Sequence, residues 1–249
     1  MKDSRFILCT TKASVASIIA ALYCGALFPV PVLAEEIESS VARGGRLYDN
    51  WISSLAAEAP KENHSAWPAS NTSKSGAVTW RCKSCHGWDY KGRDGAYAAG
   101  SYKTGIVGIT RFVNAEPAKI VEIMRDKTHG LGERLKDQDL QDLALFVSKG
   151  QVDYDPMIDR ATKAAKGNVA KGEVYYNTIC AGCHAKDGTK PKDMPESLGK
   201  LMTDNPWETT HKVLNGQPAE PMPAMRAIDR QVVADIIAYL ATLPKTTNK

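Results

Sequence analysis

The chain has 249 residues, of which 43% are hydrophobic and 24% are charged. This length predicts one or two domains, and the composition excludes both an intrinsically disordered chain and a membrane protein with many spans. Lysine and arginine together number 32 against 28 aspartate and glutamate residues, so the formal net charge is only +4. A charge this small gives no support for binding to nucleic acid.

The N-terminal residues have the pattern of an export signal. Three basic residues lie among the first 12, and residues 13–34 are uncharged and largely apolar. Small or short residues precede Ala34, as expected at a cleavage site, and two glutamates follow it. An uncleaved membrane anchor is the alternative, but Pro29 and Pro31 would break the end of such a helix. We therefore predict a signal peptide at residues 1–34 and export to the periplasm.

Cleavage after Ala34 would remove Cys9 and Cys24 and leave four cysteines, which all lie in two identical five-residue patterns. The mature chain would then have no structural disulfide and no free cysteine nucleophile. No other stretch is long and apolar enough to span a membrane, so we expect a soluble mature protein.

The two patterns are Cys-x-x-Cys-His sequences at residues 82–86 and 180–184. Two thiols three residues apart on a helical turn lie on one side, where both can add to vinyl groups of one porphyrin, and the adjacent histidine can bind its iron. A single zinc site from both cysteine pairs is the alternative, but the pairs are too far apart in the sequence. A thioredoxin-like redox pair would need a βαβ pattern, which surrounds neither motif. We therefore predict two covalent haem c groups, attached at Cys82 and Cys85 with His86, and at Cys180 and Cys183 with His184.

The second motif lies in a stretch, residues 168–244, that resembles class I cytochrome c. Gly172, Tyr176 and Cys180 are spaced to share one helix face. A final helix is predicted after Asp229, with an apolar stripe that includes Tyr239. The resemblance implies that Gly172 lets this final helix cross the first one closely and that aromatic residues pack in the crossing.

A six-coordinate haem needs a second axial ligand, and the second half offers two methionines for it. Met222 and Met225 both lie in a Pro-Met-Pro-Ala-Met run before the final helix. The class I resemblance favours Met222, because it is followed by proline. Met225 is then interpreted as a loop methionine that packs on the haem edge.

An internal repeat predicts the corresponding ligand in the first half. A helical stripe after Asp137 aligns with the final helix when Phe146 is matched with Tyr239. Met222 lies 17 residues before Tyr239, and the position 17 residues before Phe146 is His129. We predict His129 as the distal ligand of the first haem. The alternatives are Met124, Lys127 and His64, and His211 is predicted to be an exposed or hydrogen-bonded histidine with no role at iron.

The predicted organisation is all-α, with two tandem cytochrome c-like domains that each wrap one haem. The signal peptide is followed by a first domain at 35–155, a polar linker at 156–167 and a second domain at 168–249. Gly44 and Tyr48 repeat the spacing of Gly172 and Tyr176, but the first haem motif follows about 30 residues later than the repeat requires. This insert (residues 50–80) is interpreted either as a cover for a haem edge or the domain interface, or as a solvated loop. A loop rich in glycine and tyrosine after His86 is expected to pack against haem.

These features together predict an exported dihaem cytochrome that transfers electrons between redox partner proteins through transient encounters. Two six-coordinate irons would leave no open position for a substrate, so an enzyme is disfavoured. The alternatives are a haem enzyme resembling a thiosulfate dehydrogenase or a peroxidase, and an electron-transfer subunit of a larger oxidoreductase. The sequence leaves the physiological partners, the direction of electron flow and the oligomeric state open.

Overall fold

The computed structural model describes residues 30–247, with side chains from Ile37 onward. The described residues form helices joined by loops and contain isolated β-bridges but no β-strand, which confirms the predicted all-α class. The predicted signal peptide lies outside the described residues, apart from the backbone of residues 30–34. None of the described helices combines the length and the apolar character that crossing a membrane requires.

The first half is built around a long N-terminal helix and a helix that packs across it. Its α-helices are α1 (Val30–Ser54, kinked at Asn50), α2 (Cys82–His86), α3 (Pro117–Arg125) and α4 (Asp137–Leu145). A π-helical turn continues α4, and 3₁₀ turns connect the other helices; these turns are Phe146–Gly150, Gly76–Trp80, Thr110–Phe112 and Leu131–Glu133.

The second half repeats this plan with shorter connections. Its helices are α5 (Val169–Ile179), α6 (Ala181–His184), α7 (Leu198–Asp204), α8 (Pro206–Asn215) and α9 (Arg230–Leu240). Side-chain caps begin α8 and α9, two of these helices. The Asn205 side chain accepts the N–H of Glu208 at the start of α8, and the Asp229 side chain accepts the N–H of Gln231 at the start of α9.

Helix α4 begins at Asp137, and the residue before it, Lys136, is its N-cap. The carboxylate of Asp139 reaches back and accepts the N–H of Lys136 at 3.1 Å, so it satisfies a donor that the helix leaves unpaired.

One glycine in each half allows two helices to cross closely. A Cβ on Gly44 of α1 would overlap the carbonyl of Asp142 in α4, and a Cβ on Gly172 of α5 would overlap the carbonyl of Asp235 in α9. The two carbonyls lie four residues before the aromatic residues that the internal repeat matches. The crossings therefore support the register on which that repeat was based.

The predicted linker packs against the protein at Met157 and Ile158, whereas residues 161–164 are exposed. Residues Ile37–Lys249 form one compact unit, and Ile158 within the linker is only 1% exposed. Arg160 donates hydrogen bonds to Asp89 in the first half and to Asp155. Salt bridges and buried apolar contacts thus hold the linker in place, and the domain boundaries at 155 and 167 stay predictions.

Candidate haem sites

The first Cys-x-x-Cys-His motif forms helix α2, with its histidine held by one hydrogen bond. His86 donates from Nδ1 to the carbonyl of Val107 at 2.8 Å, which leaves Nε2 available to a metal. Burial lowers the pKa of His86 to about 4, so the ring is neutral at pH 7. Gly87 follows with a φ of +83°, and its carbonyl accepts the hydroxyl of Tyr48 at 2.6 Å. The chain therefore turns sharply at the end of the motif, and the hydrogen bond from Tyr48 holds this turn against α1.

A cavity of about 300 Å³ opens beside this motif. Cys82, Cys85 and His86 line one side of it. Most of the remaining wall is apolar, with Ile106, Ile109, Ile120, Met124, Leu131, Leu143 and Val147. An apolar cavity with two thiols and a neutral imidazole at its edge suits a covalently attached porphyrin.

His129, the distal ligand that the internal repeat proposes, lies across the cavity from His86. The two ring centroids are 6.4 Å apart, and the ring planes differ by 28°. Bonds from a metal to imidazole nitrogen are about 2 Å long, so this gap accommodates one metal atom between the rings. Asp126 accepts a hydrogen bond from Nδ1 of His129 at 3.2 Å, which leaves Nε2 as the free ring nitrogen. The residues present therefore fit a haem iron with histidine on both sides.

The three alternatives to His129 have other surroundings. Met124 is 7% exposed and forms part of the apolar wall of the cavity, on α3. Lys127 is exposed and does not contribute to the wall. His64 uses both ring nitrogens, because Nδ1 accepts the N–H of Ala66 and Nε2 contacts the carbonyl of His129. These contacts favour His129 over each alternative.

The second motif repeats the arrangement around the first. His184 donates from Nδ1 to the carbonyl of Lys190 at 2.9 Å, and the next residue, Ala185, has a φ of +60°. The Ala185 carbonyl accepts the hydroxyl of Tyr176 at 2.6 Å, as the Gly87 carbonyl accepts that of Tyr48. Cys180 is half-buried and Cys183 is exposed. The proximal side of a second haem site is thus formed by equivalent contacts, although this site is more open.

The two candidate methionines of the second site differ in their packing. Met222 is half-buried and lines an open surface pocket with Arg43, Arg46 and neighbouring residues of its own loop. Met225 is partly buried against the apolar core, and its N–H donates to the carbonyl of Val213 at 3.0 Å. The choice of Met222 as the distal ligand stays a prediction.

The glycine- and tyrosine-rich loop lines the cavity with Ile106, Val107 and Gly108, whereas none of its tyrosines does. The rings of Tyr97 and Tyr102 stack on each other, with centroids 5.0 Å apart. Lys83, a buried residue of the first motif, donates to the Tyr102 hydroxyl at 3.0 Å. Tyr90 packs toward the second half, where its hydroxyl donates to Nδ1 of His211. The tyrosines of this loop therefore pack in the interior and do not line the cavity.

The residues that hold the predicted ligands were not identified from the sequence. Asp126 precedes His129 by three residues, and an aspartate at this spacing before a candidate ligand is a signal that could have been used. The carbonyls of Val107 and Lys190 carry no side-chain signature, so only the structure reveals them.

Residues 167–240 match the model of a protein family described as cytochrome C oxidase, cbb3-type, subunit III. This match, the helical fold and the Cys-x-x-Cys-His motif within it define a c-type cytochrome domain in the second half. The comparison with curated proteins found no match, and neither did the comparison with solved structures.

Proposed function

We propose that the chain is an exported dihaem c-type cytochrome that carries electrons between redox partner proteins. The first half is then a second cytochrome domain, which the family match does not cover. It has the same helix crossing and the same tyrosine-to-carbonyl bond after the motif histidine as the second half. Residues 1–34 would direct the chain to the periplasm, where haem c is attached.

The observation that carries this proposal is the hydrogen bonding of the histidines. Within the described residues, His64 and His211 use both ring nitrogens, whereas hydrogen bonds engage only Nδ1 of His86, His129 and His184. A histidine that binds iron must keep one nitrogen free and commonly donates from the other. The three histidines with a free nitrogen are the three predicted iron ligands.

Electron transfer is favoured over catalysis by the first site. Haem iron, when bound, supplies one-electron redox chemistry, and the protein tunes its potential through ligands and burial. His86 and His129 face the cavity from opposite sides, so they would leave no position for a substrate. All four cysteines of the described residues belong to the two motifs, which leaves none to serve as a distal ligand of the kind found in thiosulfate dehydrogenases.

The family match supports a second candidate, a fixed electron-transfer subunit of a larger oxidoreductase. The matched family is named for a subunit of an oxidase. Size-exclusion chromatography of the protein from its native membrane and soluble fractions distinguishes the two. A carrier elutes at the size of the free chain, whereas a subunit elutes with other chains.

The first prediction tests the haem content. Mass spectrometry of the exported protein should show two haem additions to a chain that begins near Glu35, because each motif provides two thiols and a histidine. The variants Cys82→Ala/Cys85→Ala and Cys180→Ala/Cys183→Ala should each retain one haem. A single addition to the wild type, or haem that acid and organic solvent extract, would overturn the dihaem proposal.

A further inference from the structure

The insert (residues 50–80) contacts the segment that carries His129. We call residues 126–134 the distal loop. His64 of the insert donates from Nε2 to the carbonyl of His129 at 3.0 Å. Trp80 is the last residue of the insert, and the guanidinium of Arg134 lies over its ring, 4.2 Å from the ring centroid. The insert therefore touches the distal loop at two points.

The ring of His64 is held as a hydrogen-bond donor. The N–H of Ala66 donates to Nδ1 at 3.1 Å, so the ring proton is on Nε2, the atom that faces the His129 carbonyl. The ring packs edge-on against Trp80, with centroids 4.4 Å apart. The N–H of His64 itself donates to the Thr79 hydroxyl at 2.9 Å. These contacts within the insert thus orient the His64 ring toward the distal loop.

The bond to the His129 carbonyl comes from outside the distal loop and adds to the contacts that the loop makes itself. Asp126 holds the N–H of His129 at 3.0 Å and the ring Nδ1 at 3.2 Å. Directly after His129, Gly130 has a φ of +60°, and a Cβ there would meet nothing within 4 Å. Glycine in open space allows many conformations. Within the distal loop the Gly130 N–H donates to the Asp126 carbonyl at 2.8 Å. The bond from His64 therefore adds a second restraint, from the insert, on the peptide that follows His129.

We propose that His64 is a positioning residue for the first haem, which holds the distal loop so that His129 faces His86. This proposal rests on the proposed function, because it takes His129 as an iron ligand. It assigns a role to the insert: Ala66, Thr79 and Trp80 line the cavity, and His64 keeps the loop closed over it. Loss of this bond should let His129 leave the iron more often and open a coordination position.

Carbon monoxide binding to the reduced, haem-loaded protein measures that opening. His64→Leu keeps most of the side-chain volume but removes the donor, and we expect carbon monoxide to bind the first haem about tenfold faster than in the wild type. His64→Gln retains a donor amide and should restore slow binding. His129→Ala, which removes the ligand, sets the upper limit of the rate.

Asn63→Ala is the matched control within the insert. Asn63 accepts the N–H of Gly76 at 2.6 Å, so its loss loosens the insert without removing the bond to the distal loop. The proposal is overturned if His64→Leu binds carbon monoxide as slowly as the wild type while His129→Ala binds it rapidly. It is also overturned if Asn63→Ala matches His64→Leu. If His129→Ala itself fails to open the haem, the ligand assignment in the proposed function is wrong.

Discussion

At the residue scale, each predicted histidine ligand is oriented by one hydrogen-bond acceptor. Two of these acceptors, at Val107 and Lys190, are backbone carbonyls, and only Asp126 is a side chain. The Cys-x-x-Cys-His spacing could be read from the sequence because its chemistry is local. The hydrogen-bond acceptors could not be predicted from the sequence, because every residue has a backbone carbonyl. Only the tertiary structure determines which carbonyl lies next to the histidine. The contact of His64 with the distal loop has the same origin.

The methionine assignment leads to a prediction at this scale. Met222→His should abolish the long-wavelength absorption of methionine-ligated iron and lower one of the two reduction potentials, because imidazole replaces a thioether that raises the potential. Spectroelectrochemistry of the haem-loaded protein measures both effects. Met225→Leu is the control and should leave the absorption band and both potentials as in the wild type. If Met225→Leu loses the band instead, Met225 is the ligand.

At the scale of helices, the spacing of apolar residues in the sequence predicted the helices whose apolar faces pack in the core. The apolar stripe predicted after Asp229 lies on α9, and the aligned stripe of the first half lies on α4 and its π-helical continuation. The π turn has no signature in this hydrophobic pattern. The kink in α1 has a local one, because the Asn50 side chain accepts the N–H of Ser53 and so caps the last turn of the helix.

The helix crossing can be tested by adding one methyl group. Gly172→Ala should lower the free energy of unfolding by about 1–3 kcal/mol, because the new Cβ overlaps the Asp235 carbonyl and alanine's better helix propensity does not compensate. Asn177→Ala is the control, on the exposed face of the same helix, and should change stability by less than about 0.5 kcal/mol. Denaturant unfolding of the haem-loaded protein gives both values. Equal stability of the two variants would show that α5 and α9 do not need the close approach.

At the scale of the whole molecule, the sequence predicted two domains joined by a short polar linker, and in the structure residues 37–247 of both halves belong to one compact unit. Buried polar contacts join them. Lys212 of α8 pairs with the buried Asp49 of α1 at 2.6 Å, and Arg226 donates to the carbonyl of Gly150 at 2.7 Å. In the sequence, Lys212, Asp49 and Arg226 look like ordinary charged residues of a protein surface. Their partners lie far away along the chain, so no local pattern could reveal that they are buried together.

His211 provides a prediction for this contact between the halves. It is fully buried on α8, donates from Nε2 to the carbonyl of Gly45 at 2.9 Å, and accepts the hydroxyl of Tyr90 at Nδ1. Burial lowers the pKa of His211 to about 4, whereas an unfolded histidine titrates near pH 6.5. The unfolded chain therefore binds a proton that the folded protein excludes, and stability falls as the pH decreases from about 6.5 to about 4.

Between pH 7 and pH 5 His211 should account for a loss of about 2 kcal/mol in the free energy of unfolding. The variant His211→Gln should remove that part of the dependence of stability on pH. Burial also lowers the pKa of His64, so His64→Gln is the control and should retain the part due to His211. Denaturant unfolding at both pH values measures the slope, and a slope that survives unchanged in His211→Gln would place the acid sensitivity outside this contact.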